Sequence, residues 1–208
     1  MRELDLSSKG LALCIIDSIQ STGVRYKGVT NVLNRYAEYR TAQGGDPTTD
    51  GTTELLRTFD DLGTPEAWVA KIGNRHKTST VAGAPFKAVA VHAAAQALAD
   101  LGIRSKQDLQ AVAVTPERLA TVGAAWKAVK AQSSGITWRY VLMLAGVPGV
   151  KPDRMIQGFV CDALGLKPVS PDFAAAAIEE TATALGMDNA TTLDHAIWLY
   201  QRNPKRSH

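Results

Sequence analysis

The sequence predicts an all-α protein built from two helical lobes. Apolar residues recur at helical spacing over most of the chain, beginning with residues 11–19 and 29–36. A hydroxyl residue, a proline and an acid follow one another at Thr64, Thr115 and Ser170, which is typical of helix starts. These patterns give about ten helices with short connections and no convincing strand of alternating polarity.

The clearest internal break lies at residues 146–151, where glycines and a proline end one helix before another begins. We therefore expect one lobe to comprise residues 20–146. The second lobe would combine residues 1–19 with residues 147–208.

Composition restricts the possible classes of protein. The 208 residues carry a formal net charge of +3, which is compatible with nucleic-acid binding but does not establish it. The two cysteines, Cys14 and Cys161, are too few to hold an iron–sulfur cluster or a zinc ion, and both lie in apolar contexts typical of buried thiols. We therefore expect no metal cluster and no cofactor.

The start of the chain indicates where the protein acts. Residues 1–8 are polar and charged, unlike a secretory signal peptide, and the apolar run at 10–16 is too short to cross a bilayer. Unpaired thiols fit a reducing compartment. The expectation is a cytoplasmic protein that does not bind membranes.

The segment from 137 to 166 carries the strongest candidate for chemistry. One helix ends near Gly146, and the next begins at Asp153 and stops at Gly165. Asp153 lies between Lys151 and Arg154, so we expect an ionised carboxylate at a helix start. Such a carboxylate can stabilise an oxocarbenium-like sugar and orient the attacking water.

Residues 151–156, Lys-Pro-Asp-Arg-Met-Ile, with the later Leu164-Gly165-Leu166, resemble the segment that carries the essential aspartate of helix-hairpin-helix DNA glycosylases. A second stretch, 16–24, resembles the early helix and loop of endonuclease III-like members, with Gln20 as the glutamine that enters the duplex. A weaker match covers 76–88. The three matches occur in the order found in that family.

The resemblance implies a two-lobed fold that binds double-stranded DNA and releases a damaged or unusual base. Asp153 would be the catalytic residue. The hairpin turn near 132–137, two cations and a wedge, which is the side chain of Gln20 inserted into the duplex, would bind the DNA. The flipped base would stack on aromatic rings. The implied DNA-contacting residues are Gln20, Ser133, Ser134, Gly135, Thr137, Lys151 and Arg154, and the implied base-pocket residues are Tyr26, Trp138 and Tyr140.

Two departures from that family modify the expected chemistry. The turn at Ser134-Gly135 has one glycine where two are common. Ile136 occupies the position at which members with lyase activity carry lysine, and isoleucine cannot form a Schiff base with the sugar. We therefore expect hydrolysis without lyase activity. We also expect the protein to be a monomer.

The same residues also have structural interpretations. Asp153 can be a helix cap, Gln20 an exposed helix end, and Trp138 a core residue. Two other functions remain open: a glycosylase-fold protein that binds nucleic acid without excising a base, and a helical regulator that binds a partner protein. The last predicts no salt-dependent affinity for DNA.

Overall fold

The computed structural model describes residues 9–202. Within this range the chain forms eleven α-helices and no strand. The helices are α1 (Leu11–Gln20), α2 (Tyr26–Ala42), α3 (Thr52–Leu62), α4 (Pro65–Lys71), α5 (Lys87–Asp100), α6 (Lys106–Ala113), α7 (Pro116–Ala128), α8 (Ile136–Leu144), α9 (Arg154–Leu164), α10 (Pro171–Ala184) and α11 (Ala190–Gln201). The predicted all-α class is confirmed.

The helix starts show how local sequence sets these boundaries. The Thr64 hydroxyl accepts a hydrogen bond from the N–H of Ala67 at 3.1 Å, and Ser170 caps α10 in the same way through Phe173 at 3.2 Å. Thr115 precedes the proline of α7 but makes no cap bond through its side chain. Proline at the first helical position is therefore sufficient where the hydroxyl is not used.

The chain divides between Gly146 and Val147 into two compact units, each with its own hydrophobic core. In the first unit, α1 packs against α2, α3, α5 and α8, and α3 packs against α5. In the second unit, α9, α10 and α11 pack against one another around a core that includes Ile156, Val160, Ile178 and Ile197.

Helix α1 lies in the first unit, which differs from the expected grouping of 1–19 with 147–208. Residues 1–8 lie outside the described range. All ten residues of α1 are buried, and its apolar side chains form the centre of the first core. A helix whose residues are all buried must be surrounded by other elements, and α1 packs against α2, α3, α5 and α8.

Close backbone packing fixes the surroundings of the N-terminus of α1. A Cβ atom built on Gly10 would lie 2.5 Å from the carbonyl oxygen of Asp50, and one on Gly51 would lie 1.7 Å from that of Arg104. The N–H of Ala12 donates to the Asp50 carbonyl at 3.0 Å. Glycine is required at both positions because another backbone occupies the space of a side chain.

Candidate functional site

Asp153 lies immediately before α9 and is its N-cap residue. Its Oδ1 accepts hydrogen bonds from the backbone N–H groups of Met155 at 2.8 Å and Ile156 at 3.4 Å. Its Oδ2 lies 4.0 Å from Nζ of Lys151, and 27% of the Asp153 side chain is exposed. One carboxylate oxygen thus caps the helix, while the other lies beside a cation in a partly exposed side chain. Arg154, the first residue of α9, is exposed.

The loop that leads to Asp153 is held by the first turn of α11. The Thr191 hydroxyl accepts a hydrogen bond from the N–H of Gly149 at 3.1 Å and donates one to the Gly149 carbonyl at 3.0 Å. Asp194 Oδ1 accepts a hydrogen bond from the N–H of Lys151 at 3.0 Å. Two side chains of one helix therefore fix the backbone on the N-terminal side of Asp153.

The carboxyl group of Asp194 has unusual electrostatics. Burial raises its pKa to about 6 from the ordinary 3.8, the hydrogen bond from the Lys151 N–H opposes this rise, and the charge of Asp153 adds to it. Two carboxyl groups with different environments therefore flank Lys151. Such pairs occur at sites of acid–base chemistry.

The predicted hairpin turn lies between α7 and α8. Ser133 and Ser134 are exposed, and Gly135 is the N-cap of α8 with φ +73°, in the left-handed region that glycine adopts readily. The N–H of Ile136 lies 3.5 Å from the Ser134 hydroxyl oxygen. The turn therefore presents small residues and a helix N-terminus, which is the arrangement that can bind a phosphate.

Thr137 and Trp138 point into the fold, which corrects their expected roles. Thr137 is 3% exposed, and its hydroxyl accepts from Trp126 Nε1 at 3.0 Å and donates to Gln132 Oε1 at 2.6 Å. Trp138 packs beside Trp126 with a ring separation of 5.9 Å, and it lies so close to Gly123 that no side chain fits there. The hydroxyl cannot contact DNA and the indole belongs to the core, because both are enclosed by α7.

Gln20 is also buried, at 1% exposure, so its side chain is not presented as a wedge. A wedge has to reach between stacked bases, and a side chain enclosed at the end of α1 does not. Both atoms of its amide lack a hydrogen-bond partner among the described residues, as does Oδ1 of the buried Asp17. The C-terminal half of α1 therefore buries polar groups without satisfying all of them.

Two buried cations accompany this polar end of α1. Lys9 Nζ lies 2.5 Å from Asp17 Oδ2, which also accepts a hydrogen bond from the Tyr26 hydroxyl at 3.0 Å. Lys87 Nζ donates to the carbonyl oxygens of Gln20 at 3.0 Å and Thr22 at 2.6 Å. The cations offset the charge of the Asp17 carboxylate and the negative end of the helix dipole.

The structure brings two of the three expected pocket aromatics together. Tyr140 forms a hydrogen bond with Tyr26, and both rings are half-buried in the first unit. Burial and the neighbouring Asp17 carboxylate raise the pKa of the Tyr26 hydroxyl well above its usual value. Tyr26 therefore stays neutral and half-buried against the core of the first unit, whereas Trp138 is buried within that core.

Several other chemistries find little support among residues 9–202. No group of three or more His, Cys, Asp or Glu side chains in this range is arranged to hold a metal ion. Burial raises the pKa of the Cys14 thiol to about 12, so the expected buried thiol stays protonated, whereas Cys161 is only half-buried. No helix of the described chain has the length and hydropathy that a membrane span requires.

The role of Asp194 was not predicted from the sequence, although the residue lies in a recognisable pattern. Thr191 and Asp194 have the spacing of a capping box. The structure uses Asn189 as the N-cap of α11, with its Oδ1 accepting from the Thr191 N–H at 2.8 Å. The side chains of Thr191 and Asp194 are thereby left to bind the loop before Asp153.

Comparisons with known proteins place the chain in a family without assigning it an activity. No curated protein and no solved structure gives a significant match to it. The sequence profile described as a domain of unknown function, DUF8548, matches residues 3–202, which is nearly the whole chain. The chain therefore belongs to the DUF8548 family.

Proposed function

We propose that this protein is a monofunctional DNA glycosylase that hydrolyses the N-glycosidic bond of a damaged or unusual base. The observation that carries the proposal is the environment of Asp153. One of its carboxylate oxygens is occupied by the N-terminus of α9, and the other lies beside Lys151 in a partly exposed side chain. A carboxylate fixed in this way can face a reacting sugar without rearrangement.

The proposed reaction requires one carboxylate and one water molecule. As the bond between C1′ and the base nitrogen breaks, its electron pair leaves with the base and positive charge develops on the sugar. The Asp153 carboxylate stabilises that charge and accepts a proton from the water that adds to C1′. The proton then passes to the departing base, so that no cofactor is consumed. Ile136 supplies no amine, so no Schiff base with the sugar forms.

Binding of duplex DNA is assigned to the turn before α8 and to two cations. Exposed Ser133 and Ser134, together with Gly135, present backbone N–H groups to a phosphate. Lys151 and Arg154 supply positive charge near the Asp153 carboxylate. Within the first unit, Tyr26 and Tyr140 remain the candidates for stacking on a base, because both rings are only half-buried.

A base-release assay tests the proposal. Duplex oligonucleotides carrying a single alkylated purine, uracil or oxidised guanine are incubated with the protein, and free base is measured by mass spectrometry. Asp153→Asn keeps an oxygen that can cap α9 but removes the negative charge, so release should fall by about 100-fold or more. Asp188→Asn, at an exposed aspartate of the same unit, is the matched control and should retain full release.

Base release, measured together with DNA binding, distinguishes an active glycosylase from a glycosylase-fold protein that only binds nucleic acid. Tight binding to abasic duplex without release of any base would support the inactive, nucleic-acid-binding alternative, which the inward-facing Trp138 and buried Gln20 favour. Absence of any salt-dependent affinity for duplex DNA would contradict both. Trapping of a covalent complex by borohydride would contradict the monofunctional assignment, because only an amine forms a reducible Schiff base.

A further inference from the structure

The carboxylate of Asp194 holds the backbone beside Asp153. Its Oδ1 accepts the N–H of Lys151 at 3.0 Å, and the carbonyl of Lys151 in turn accepts the N–H of Asp153 at 2.7 Å. Lys151 also places its ammonium 4.0 Å from Asp153 Oδ2. Lys151 is therefore fixed through its backbone by one carboxylate and faces another with its side chain.

We propose that Asp194 is a positioning residue for Asp153: its ionised carboxylate fixes the Lys151 backbone and thereby the placement of the Lys151 ammonium against the Asp153 carboxylate. The catalytic consequence rests on the proposed function, whereas the positioning itself does not. Thr191 assists by holding Gly149 through two hydrogen bonds, so the loop is attached to α11 at two points.

The charges around Asp194 make this attachment sensitive to pH. The charges of Lys151 and Asp153 act on its carboxyl group, and the largest influence on it is burial. Helix α10 also packs on α11 and carries Asp172, Glu179 and Glu180. On α11 itself, His195 follows Asp194 and stacks on Trp198. With a pKa of about 6, the Asp194 carboxyl takes up a proton just below neutral pH, and its hydrogen bond to the Lys151 N–H then loses the assistance of charge.

The partly buried carboxyl group of Asp194 is unfavourable for stability, which points to a functional role. Burying a charge beside a second carboxylate costs stability. An asparagine would avoid that cost, but its neutral amide oxygen would hold the Lys151 N–H more weakly than a carboxylate does. Groups whose environment works against their charge occur preferentially at functional sites. The hydrogen bond of Asp194 is made to the Lys151 N–H, so its action on Asp153 is assigned to Lys151.

An NMR titration of the intact protein tests the inference without any substrate. The amide shifts of Lys151, which donates to Asp194, and of Met155, which donates to Asp153, are followed between pH 4 and pH 8. Both should change with an inflection near pH 6. Asp194→Asn should abolish both inflections, whereas His195→Gln and Asp188→Asn should leave them in place.

Each deviating result overturns the inference. A Lys151 amide without an inflection near pH 6, or one that persists in Asp194→Asn, shows that Asp194 is not the titrating acceptor. An inflection at Lys151 that is absent at Met155 shows that the change does not reach Asp153. Loss of the inflection in His195→Gln assigns the titration to the imidazole.

A second measurement connects positioning to the reaction. If base release is established, it should decline below about pH 6 in the unmodified protein as Asp194 is protonated. Asp194→Asn should remove this decline and lower kcat about tenfold at pH 7.5 with little change in KM, because a misplaced carboxylate affects the reacting state more than binding. If no base is released, the glycosylase proposal fails, and the NMR titration still decides the role of Asp194.

Discussion

Lys87 Nζ lies 3.0 Å from the carbonyl oxygen of Gln20, at the C-terminal end of the buried helix α1. The same ammonium donates to the Thr22 carbonyl, and the Lys87 residue is 3% exposed. A buried lysine at this place satisfies carbonyl groups that have no partner within the helix and lies at the negative end of its dipole. Lys87 therefore stabilises the fold of the first unit.

Replacement of Lys87 by methionine should lower the free energy of unfolding by about 2–4 kcal/mol. Two charge-assisted hydrogen bonds are lost, and carbonyl groups remain buried without donors. Urea unfolding followed by tryptophan fluorescence measures the change. The control is Lys71→Met at an exposed lysine, which should alter stability by no more than about 0.5 kcal/mol. Equal effects of the two substitutions would contradict this role of Lys87.

Replacement of Lys9 by methionine should destabilise the protein by about 3–5 kcal/mol. Asp17 is fully buried and would keep only the hydrogen bond from Tyr26. The double variant Lys9→Met with Asp17→Leu should be more stable than Lys9→Met alone, because no charge is then left buried. A double variant whose loss equals the sum of the two single losses would show that the two groups do not interact.

Two glycines should respond in opposite directions to alanine. At Gly51 a Cβ would lie 1.7 Å from the Arg104 carbonyl oxygen, so Gly51→Ala must displace backbone and should cost about 3 kcal/mol. At Gly158, inside α9, a Cβ meets nothing within 4 Å, and Gly158→Ala should stabilise the helix by about 1 kcal/mol. Thermal unfolding of both variants checks the sign; destabilisation by Gly158→Ala would contradict the open space there.

Asp194 should make the second unit less stable as the pH rises from 4 to 6. Its pKa is about 6 in the folded protein and 3.8 as a model value, so the folded state binds more protons across this window. Stability therefore falls with rising pH, by roughly 2–3 kcal/mol from this group. Asp194→Asn should lack this contribution and gain relative stability as the pH increases.

Urea unfolding followed by the α9 amides measures this difference at pH 4, 5, 6 and 7. Other carboxyl groups, such as Asp108 with its lowered pKa, titrate in both proteins, and their contributions cancel in the comparison. A stability difference between the two proteins that stays constant over this range would exclude a raised pKa for Asp194.

Local sequence was sufficient to predict the helices and the place of Asp153. The spacing of apolar residues and the caps at Thr64 and Ser170 act within a few residues of the chain, and they formed the expected helix starts. Asp153 follows a proline and precedes an apolar helix, so its capping role was also predictable. Its proposed chemistry stays a prediction that the base-release assay tests.

The functional assignment of polar side chains was less predictable. Gln20 and Thr137 were expected to contact DNA and Trp138 to line the base pocket, yet all three are buried. Partners distant in the sequence explain this burial. Lys87 donates a hydrogen bond to the Gln20 carbonyl at a sequence separation of 67 residues, and Trp126 donates one to the Thr137 hydroxyl at a separation of 11 residues. No pattern within the segments that contain Gln20 or Thr137 identifies these partners.

The sequence by itself determined that this chain is helical, where its main helices begin, and that a carboxylate caps α9 beside a lysine. Tertiary structure decided which polar groups face inward, that α1 belongs to the first unit, and that Asp194 holds the loop before Asp153. The physical reason is the separation along the chain of the residues that interact. Helix periodicity and capping depend on residues three or four positions apart, whereas burial and the pKa of a carboxyl depend on groups brought together from distant parts of the chain.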